Sequence, residues 1–590
     1  MWNATQSRPI SNGMNTTHTL RIYLIFALFT VFALVLLGRL FFVQIIHGSE
    51  FAARADDQYT TPTPNTLARG SIYFKERDGL LVSAATLKVG YTIAINPKKI
   101  AGAPNAERAR ESIFEKLLAI TAIVREDFFA KTSKTADTYE EVARRIGKDE
   151  ADRVVALSIP GVSVHREAWR FYPGGTTAAH VLGFMAYQGD IVAGRYGIER
   201  YFGDILSRES SGAYTNFFAE IFSDIARAVV RGENSREGDI ILTVEPNVQK
   251  QLESALSEIR TEWHADVLGG IVMNPKTGSV YAMAALPTFD PNAFQKEENI
   301  SVFGNPIVES VYEMGSIIKP LTMAAAIDAG AVRPESVYTD EGTIVVDGKR
   351  ISNFDGKARG VVSMQEVLGQ SLNTGMVYVM KKMGRDKFSA YMRRYKLGEE
   401  TGIELPGEIR GLTANLDSPR DVEHATAAFG QGIAMTPIET VRALAALGNG
   451  GFLVDPYIVD SVKYTWGGSR ATVPAEPVRI LRQSTSEDIT RMLVNVVDKA
   501  LLGGTVVLPH YSIAAKTGTA QIADQINGGY HDDQYLHSFF GYFPAYDPEF
   551  LVFLYQVNPR GARYASETLT KPFINMTQFL INYYEIPPDR

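Results

Sequence analysis

The 590-residue chain contains no cysteine. That excludes disulfide staples, thiolate catalysis and cysteine-ligated metals together, and it suits an oxidising or envelope compartment where stray thiols are a liability. There is no surplus of basic charge either. The chain has 59 Lys and Arg against 66 Asp and Glu, a formal net charge of -7, so no electrostatic footprint for nucleic acid is advertised. Metal-ligand spacing is missing: the nine histidines form no HExxH or paired pattern, and His531 and His537, bracketed by acidic and aromatic residues, are expected in a loop. Gly448-Asn-Gly-Gly451 lacks the Lys-Ser/Thr of a phosphate-binding loop and reads as a turn. No metal and no cofactor are expected. No internal repeat or coiled-coil heptad pattern is present.

What the chain does have is one long apolar run. Ile22 to Gly38 is uncharged, and apolar character resumes after Arg39 as far as Ile46. Twenty-odd helical residues at about 1.5 Å each span a bilayer core of roughly 30 Å. Arg39 falls near the far interface, where its stem lets the charge reach water. The tail from Met1 to Arg21 carries Arg8 and Arg21 and no acid, whereas Glu50, Asp56 and Asp57 follow the run. This asymmetry predicts a cytoplasmic tail over 1–21, a transmembrane anchor over 22–46 and everything later outside the cytoplasm. A cleavable signal would end its apolar stretch at small residues, but this one ends in Arg-Leu-Phe-Phe-Val-Gln.

At this length two or more domains are expected beyond the anchor. Thr60–Asn65 reads as an extended linker. Residues 47–238 mix short strands and helices: Gly79 marks a turn, Val89–Ile95 alternates like a strand, and Ala106–Ala122 has a helical period. This stretch shows no nucleophile–base set and is read as a mixed α/β pedestal. Residues 239–590 open near Asp239, followed by a helix from Pro246 to Glu262. A hairpin then turns at Pro275–Gly278, helices fill the middle, and strands return near Ser512–Ile522, Ser538–Tyr542 and Phe550–Val557. Strands at both ends with helices between predict an antiparallel sheet sandwiched by helices, and an α+β fold overall.

Three short strings stand in order in that second region: Ser316-Ile-Ile-Lys319, Ser371-Leu-Asn373 and Lys516-Thr517-Gly518-Thr519. Together they match the pattern of a serine acyl-transfer site for penicillin-like substrates. Ser316 and Lys319, three apart, share one helix face in a first turn whose free N–H groups favour developing negative charge. A serine hydroxyl needs a base, and Lys319 can serve if burial and neighbouring cations lower its pKa. Ser371 offers a hydroxyl for proton relay and Asn373 a donor and an acceptor for a substrate amide, although both residue types equally suit helix caps. Lys516, Thr517 and Thr519 can bind a carboxylate, and Gly518 lets a ligand or another backbone approach the strand. The strand's N–H groups can complete an oxyanion hole with that of Ser316. Lys276-Thr277-Gly278 repeats the tripeptide in a hairpin turn ahead of Ser316 and is read as turn chemistry only.

With these motifs the chain resembles the class B penicillin-binding proteins, bitopic cell-wall D,D-transpeptidases. The resemblance extends to Arg170-x-Tyr172-Pro173, His180-Val-Leu-Gly183, Gly197-Ile-Glu199, Pro287–Asn292, Thr401–Glu408 and Gly430-Gln-Gly432. It implies a penicillin-binding/β-lactamase-like transpeptidase domain on a dimerisation-type pedestal. It also implies that Ser316 attacks the D-Ala-D-Ala carbonyl of a stem peptide and that Lys319 accepts the proton, with Ser371 as relay. Asn373 would hold the donor peptide, and Lys516, Thr517 and Thr519 its terminal carboxylate. β-Lactams would acylate Ser316. The implied partner is a multi-pass glycan polymerase of the SEDS class, with other division or wall-synthesis membrane proteins. Asn373 and Thr517 lean towards the septal division type, since elongation-type homologues often carry Asp and Ser there. Met314 stands where the family usually has proline, Leu372 replaces a smaller residue, and Arg69–Gly79 holds two extra residues within a pedestal motif.

Competing readings are an elongation-type transpeptidase, a membrane-anchored β-lactamase or β-lactam sensor, and an inert wall-synthesis scaffold. No Glu-x-x-Leu-Asn loop for deacylation is present. Glu126-Asp-Phe-Phe129 only faintly echoes the acidic motif of a bifunctional enzyme's glycosyltransferase.

Overall fold

The computed structural model of the chain describes residues 16–41, 67–189, 191–208, 237–465, 468–524 and 526–590. Two units make it up, residues 1–66 with 210–230 and residues 67–209 with 231–590. The described part of the first is helix α1 (Thr16–Phe41), whose large apolar side chains from Tyr23 to Leu37 are all exposed. Among the described residues no helix is long and apolar enough to cross a membrane; the side chains of α1 are described only from Tyr23 to Arg39. Arg8, Phe42 to Ile46, Glu50, Asp56, Asp57 and the Thr60–Asn65 linker, on which the expected anchor also depends, lie outside the described residues.

The second unit begins with strands β1 (Ile72–Lys75) and β2 (Leu81–Ile95), an antiparallel hairpin. The turn between them uses Gly79 at φ +90°, a conformation that costs glycine nothing. Helix α2 (Ala106–Leu118) stops four residues short of the expected end; Asn105 caps its start by accepting from the Arg108 N–H. Its Ile113, Phe114 and Leu117 lie on the face that packs against Ile93 and Ile95 of β2. Strands β3 (Glu140–Ile146) and β4 (Val162–Phe171) pair with β2 on its two sides, over Tyr91–Ile95 and Thr86–Ile95 respectively.

Strand β5 (Gly238–Leu242), where the second domain was expected to open, runs parallel to β1. Helix α3 (Pro246–Trp263) has Glu245 as N-cap and proline in its first turn, the arrangement that satisfies an otherwise orphaned N–H. The expected hairpin is β6 (Val267–Met273) and β7 (Val280–Leu286). A 3₁₀ turn (Gly315–Ile318) feeds helix α4 (Lys319–Asp328), and α5 (Met364–Gly369) and α6 (Asn373–Met383) follow. The chain then returns to the first sheet through β8 (Val459–Tyr464) and β9 (Ser469–Ala471). That sheet has seven strands in the order β9-β8-β5-β1-β2-β3, with β4 also on β2, so it draws strands from both sides of residue 238.

Strands β10 (Ala514–Ala523), β11 (Tyr530–Phe543) and β12 (Phe550–Val557) complete a five-stranded antiparallel sheet, β10-β11-β12-β6-β7. His531 and His537 lie on β11 rather than in a loop. Period-2 alternation splits the sheet's side chains between two apolar layers. Phe539, Val552 and Leu554 pack with α3 and with helix α7 (Thr570–Tyr584), through Leu252, Leu256, Phe573 and Met576. Phe540, Leu551 and Phe553 face the layer that holds Ile317 and Leu321. Both faces are therefore covered, as the sandwich reading requires.

The pedestal motifs converge on one buried ionic cluster. The Glu199 carboxylate accepts from Nε of Arg69 at 2.6 Å, from Nε of Arg170 and from the Tyr172 hydroxyl at 3.2 Å. Each guanidinium side chain is 3% exposed and the Glu199 side chain is fully buried. Desolvation and the Glu199 charge hold the Tyr172 phenol well above its ordinary pKa, so it donates here. Arg170 also donates to the Gly70 carbonyl at 2.7 Å. Asn292 ties this cluster to the next region through a two-way bond with the Tyr172 backbone, 2.9 Å in each direction.

Candidate active site

Ser316 sits in the 3₁₀ turn that precedes α4, not in the first turn of the α-helix itself. Gly315 makes this possible. Its φ is +63°, its N–H donates to the Gly430 carbonyl at 3.0 Å, and a Cβ there would lie 2.9 Å from the Thr519 carbonyl. Gly430 in turn adopts φ +86°, and a Cβ on it would lie 2.0 Å from the Gly315 carbonyl. Gly430 of the Gly430-Gln-Gly432 motif thus serves the Ser316 turn: only residues without side chains let the two backbones meet.

Lys319 is fully buried. Its ammonium donates to the Ser371 carbonyl at 2.6 Å, the Ser371 hydroxyl at 3.1 Å and the Asn373 side-chain oxygen at 2.8 Å. Three donors meet three acceptors, and none of those acceptors is charged. Burial without a counter-ion disfavours the ammonium, and the nearby Lys516 charge adds to this, so the Lys319 pKa is driven well below its ordinary value. Losing one proton frees a lone pair one helical turn from Ser316, which is what a general base needs.

Ser371 has φ +56°, an uncommon left-handed position for a non-glycine residue. It stands in the connection between α5 and α6, and the bend aims both its carbonyl and its hydroxyl at Lys319. The capping alternative fails for this motif: the residue capping α6 is Leu372, and no side chain makes that bond. Asn373 keeps its oxygen on Lys319 because its amide nitrogen donates to the Ser352 carbonyl at 3.0 Å. Behind it, Thr374 donates to the buried Asp340 carboxylate at 2.6 Å, and that carboxylate also accepts from the Asn353 amide at 3.0 Å.

Strand β10 is the edge of the five-stranded sheet, so alternate backbone groups of Lys516–Thr519 are left unpaired by the sheet and open to a ligand strand. Lys516 is buried, its pKa lowered to about 8 by that burial, and its ammonium donates to the Thr517 carbonyl at 3.0 Å. Thr519 accepts from the Ala565 N–H at 3.0 Å, which leaves its own hydroxyl proton to donate. The reason for glycine at 518 is steric: a Cβ would lie 2.3 Å from the Ser538 hydroxyl and 2.7 Å from the Met314 carbonyl. Ser538 donates to that carbonyl at 2.9 Å, docking the Ser316 turn onto the strand. The groups that approach Gly518 are therefore the Ser538 hydroxyl and the Met314 carbonyl.

Ser316, Ser371, Asn373, Lys516, Thr517 and Thr519 line one cleft of about 600 Å³. Lys319 stands behind it, reaching Ser371 and Asn373. The tripeptide Lys276-Thr277-Gly278 is a turn, in which the Asn274 side chain accepts from the Lys276 and Thr277 N–H groups. Several contributors had no local signal in the sequence: Ser538, Ser352, and the wall formed by Phe354, Arg563 and Tyr564. Their roles depend on strand register and loop contacts, which no short motif encodes.

Residues 268–576 match the family model of the penicillin-binding protein transpeptidase domain, and residues 64–219 match that of the penicillin-binding protein dimerisation domain. Stage V sporulation protein D of Bacillus subtilis is 30% identical over 570 residues, which covers 95% of this chain and 85% of the relative. The peptidoglycan D,D-transpeptidase MrdA of Acinetobacter baumannii is 27% identical over 605 residues, covering 94% and 86%. The crystal structure of penicillin-binding protein 2X from Streptococcus thermophilus superposes with a TM-score of 0.71 at 20% identity, covering 89% of this chain and 81% of that one.

Proposed function

Since the chain belongs to the penicillin-binding protein transpeptidase family, we propose that it cross-links peptidoglycan stem peptides through an acyl-enzyme on Ser316. The observation that carries this reading is the buried Lys319 ammonium, held by three uncharged acceptors one turn from a serine in an open cleft.

Neutral Lys319 takes the Ser316 hydroxyl proton as the oxygen bonds to the carbonyl carbon of the penultimate D-alanine. The N–H of Ser316 and an N–H of the edge strand β10 receive the oxyanion. The proton passes by way of the Ser371 hydroxyl to the departing amine, the peptide C–N bond breaks, and D-alanine leaves with its carboxylate still paired with Lys516, Thr517 and Thr519. Asn373 holds the donor amide. A stem-peptide amine then attacks the ester, gives up its proton through the same groups and restores the Ser316 hydroxyl. A β-lactam follows the first half of this path, but its leaving amine stays tethered, so the ester persists.

In this reading residues 22–46 anchor the chain in the cytoplasmic membrane with residues 1–21 inside. Residues 47–238 form an extracytoplasmic pedestal that meets a SEDS-type polymerase, and residues 239–590 form the catalytic domain. The apolar run and its flanking charges support the anchor, and Asn373 with Thr517 supports septal use. Release of D-alanine from a pentapeptide donor, coupled to product cross-linking and abolished in Ser316→Ala, tests the chemistry; wild type without release refutes it. A fluorescent fusion tests the septal assignment, which a lateral-wall pattern without midcell enrichment would overturn.

A further inference from the structure

Among the described residues, the wall of the cleft carries three cationic side chains, Lys516, Arg359 and Arg563, and no Asp or Glu. Two of the three are already committed. Arg359 is neutralised by a two-pronged pair with Asp355, at 2.8 and 2.9 Å. Lys516 faces the terminal carboxylate in the reading above. Arg563 forms no ion pair with any described residue. The nearest carboxylate in sequence, Glu567, instead accepts from the backbone N–H groups of Arg563 and Tyr564, at 3.2 Å each.

This arginine stands on a built support. Its guanidinium carbon lies 5.5 Å from the centre of the Tyr564 ring, which meets Phe354 edge-on across 5.8 Å. The Arg563 carbonyl accepts from Nε2 of His537 at 3.1 Å, while Nδ1 of His537 bonds the Thr568 hydroxyl at 2.9 Å. His537 is fully buried and pairs with Thr519 across the two strands. Two residues on, the Ala565 N–H donates to Thr519. The segment carrying Arg563 is therefore pinned to β11 through His537 and to the carboxylate-binding strand β10 through Thr519.

Direction along the strand says what Arg563 meets. The Ser316 turn packs beside Thr519, since a Cβ on Gly315 would touch the Thr519 carbonyl. The released residue then lies towards Lys516 and Thr517. The remainder of the donor lies towards Gln521, whose strand partner is Tyr535; both line the cleft with Arg563. We propose that Arg563 is a specificity residue that pairs with a second carboxylate on the acyl donor, upstream of the scissile bond. This rests on the transpeptidase reading. Two sources share the chemistry: the branch carboxylate of a diamino diacid, or the free α-carboxylate of a γ-linked glutamate.

The test uses the full chain, wild type and the Arg563→Ala and Arg563→Lys variants. Acylation rate constants are measured for benzylpenicillin and for its analogue bearing an α-carboxylate on the side chain, and the readout is their ratio, which cancels general damage. A charge-assisted pair in a partly solvated site corresponds to a preference of about fivefold to tenfold for the acid. Arg563→Ala should reduce the ratio towards one and Arg563→Lys should retain part of it. Donor peptides with one or the other upstream carboxylate amidated then assign the source, since only the recognised one loses its dependence on Arg563. A ratio that Arg563→Ala leaves unchanged, or peptides that show no Arg563 dependence with either acid, overturns the proposal. If neither penicillin acylates wild type, the transpeptidase reading itself fails and this inference falls with it.

Discussion

Replacing Lys319 with arginine separates the chemistry of this site from its packing. Arginine keeps a long apolar stem and hydrogen-bond donors for the Ser371 carbonyl, the Ser371 hydroxyl and the Asn373 oxygen. What it cannot do is deprotonate. In wild type, burial and then the Lys516 charge push the Lys319 ammonium towards its neutral form; a guanidinium in the same place stays charged at every working pH. General-base assistance is worth about a hundred- to ten-thousand-fold, so the acylation rate constant of Lys319→Arg should fall by roughly a thousandfold. The assay is fluorescent-penicillin labelling followed in time across pH, alongside circular dichroism to confirm the fold. The sign of the pH dependence follows from the proposed role: a deprotonated lysine acting as base makes the wild-type rate rise with pH as Lys319 loses its proton, and the residual Lys319→Arg rate should lack that limb. An arginine variant that acylates within tenfold of wild type, with the same acid limb, would refute Lys319 as the base.

Three further expectations come from the same contacts. In the proposed role Lys516 binds a carboxylate only while charged, and its pKa is lowered to about 8; acylation by penicillins should therefore decline above about pH 8, and Lys516→Met should lose that alkaline limb while weakening binding at lower pH. Glu199→Gln leaves two buried guanidinium groups without their counter-ion, a change of roughly 3–5 kcal/mol that urea unfolding should register in the pedestal transition. Gly430→Ala places a methyl group 2.0 Å from the Gly315 carbonyl at φ +86°; strain of roughly 1–3 kcal/mol is expected, along with slower acylation because the Ser316 turn must move.

The sequence made the chemistry legible because the three motifs are local. Ser316 and Lys319 are one turn apart, Ser371 and Asn373 bracket one helix start, and Lys516 to Thr519 occupy one strand, so local pattern places the second string between two helices and the third on a strand, and misses only the 3₁₀ turn at Ser316. Its order ahead of Ser316 and its hairpin setting mark the repeat at Lys276 as turn chemistry, and the structure makes it a turn. Local reading went wrong where geometry is set at a distance. Ser316 stands in a 3₁₀ turn whose Gly315 packs against Gly430, over a hundred positions away. His537 was expected in a loop, but the pairing of β11 with β10 draws it onto a strand behind Thr519. The pedestal motifs could be quoted without showing that Arg69, Arg170 and Glu199 meet, since a buried ion cluster assembled from three distant segments leaves no periodic trace in the chain.

The central claim is that Ser316 forms the covalent ester, and peptide mapping of the penicillin-treated protein by mass spectrometry tests it most directly. The account predicts one β-lactam mass added to the peptide that contains Ser316, present in wild type and absent from Ser316→Ala. A stable adduct on any other residue, or none on wild type under conditions that label a control penicillin-binding protein, would contradict it.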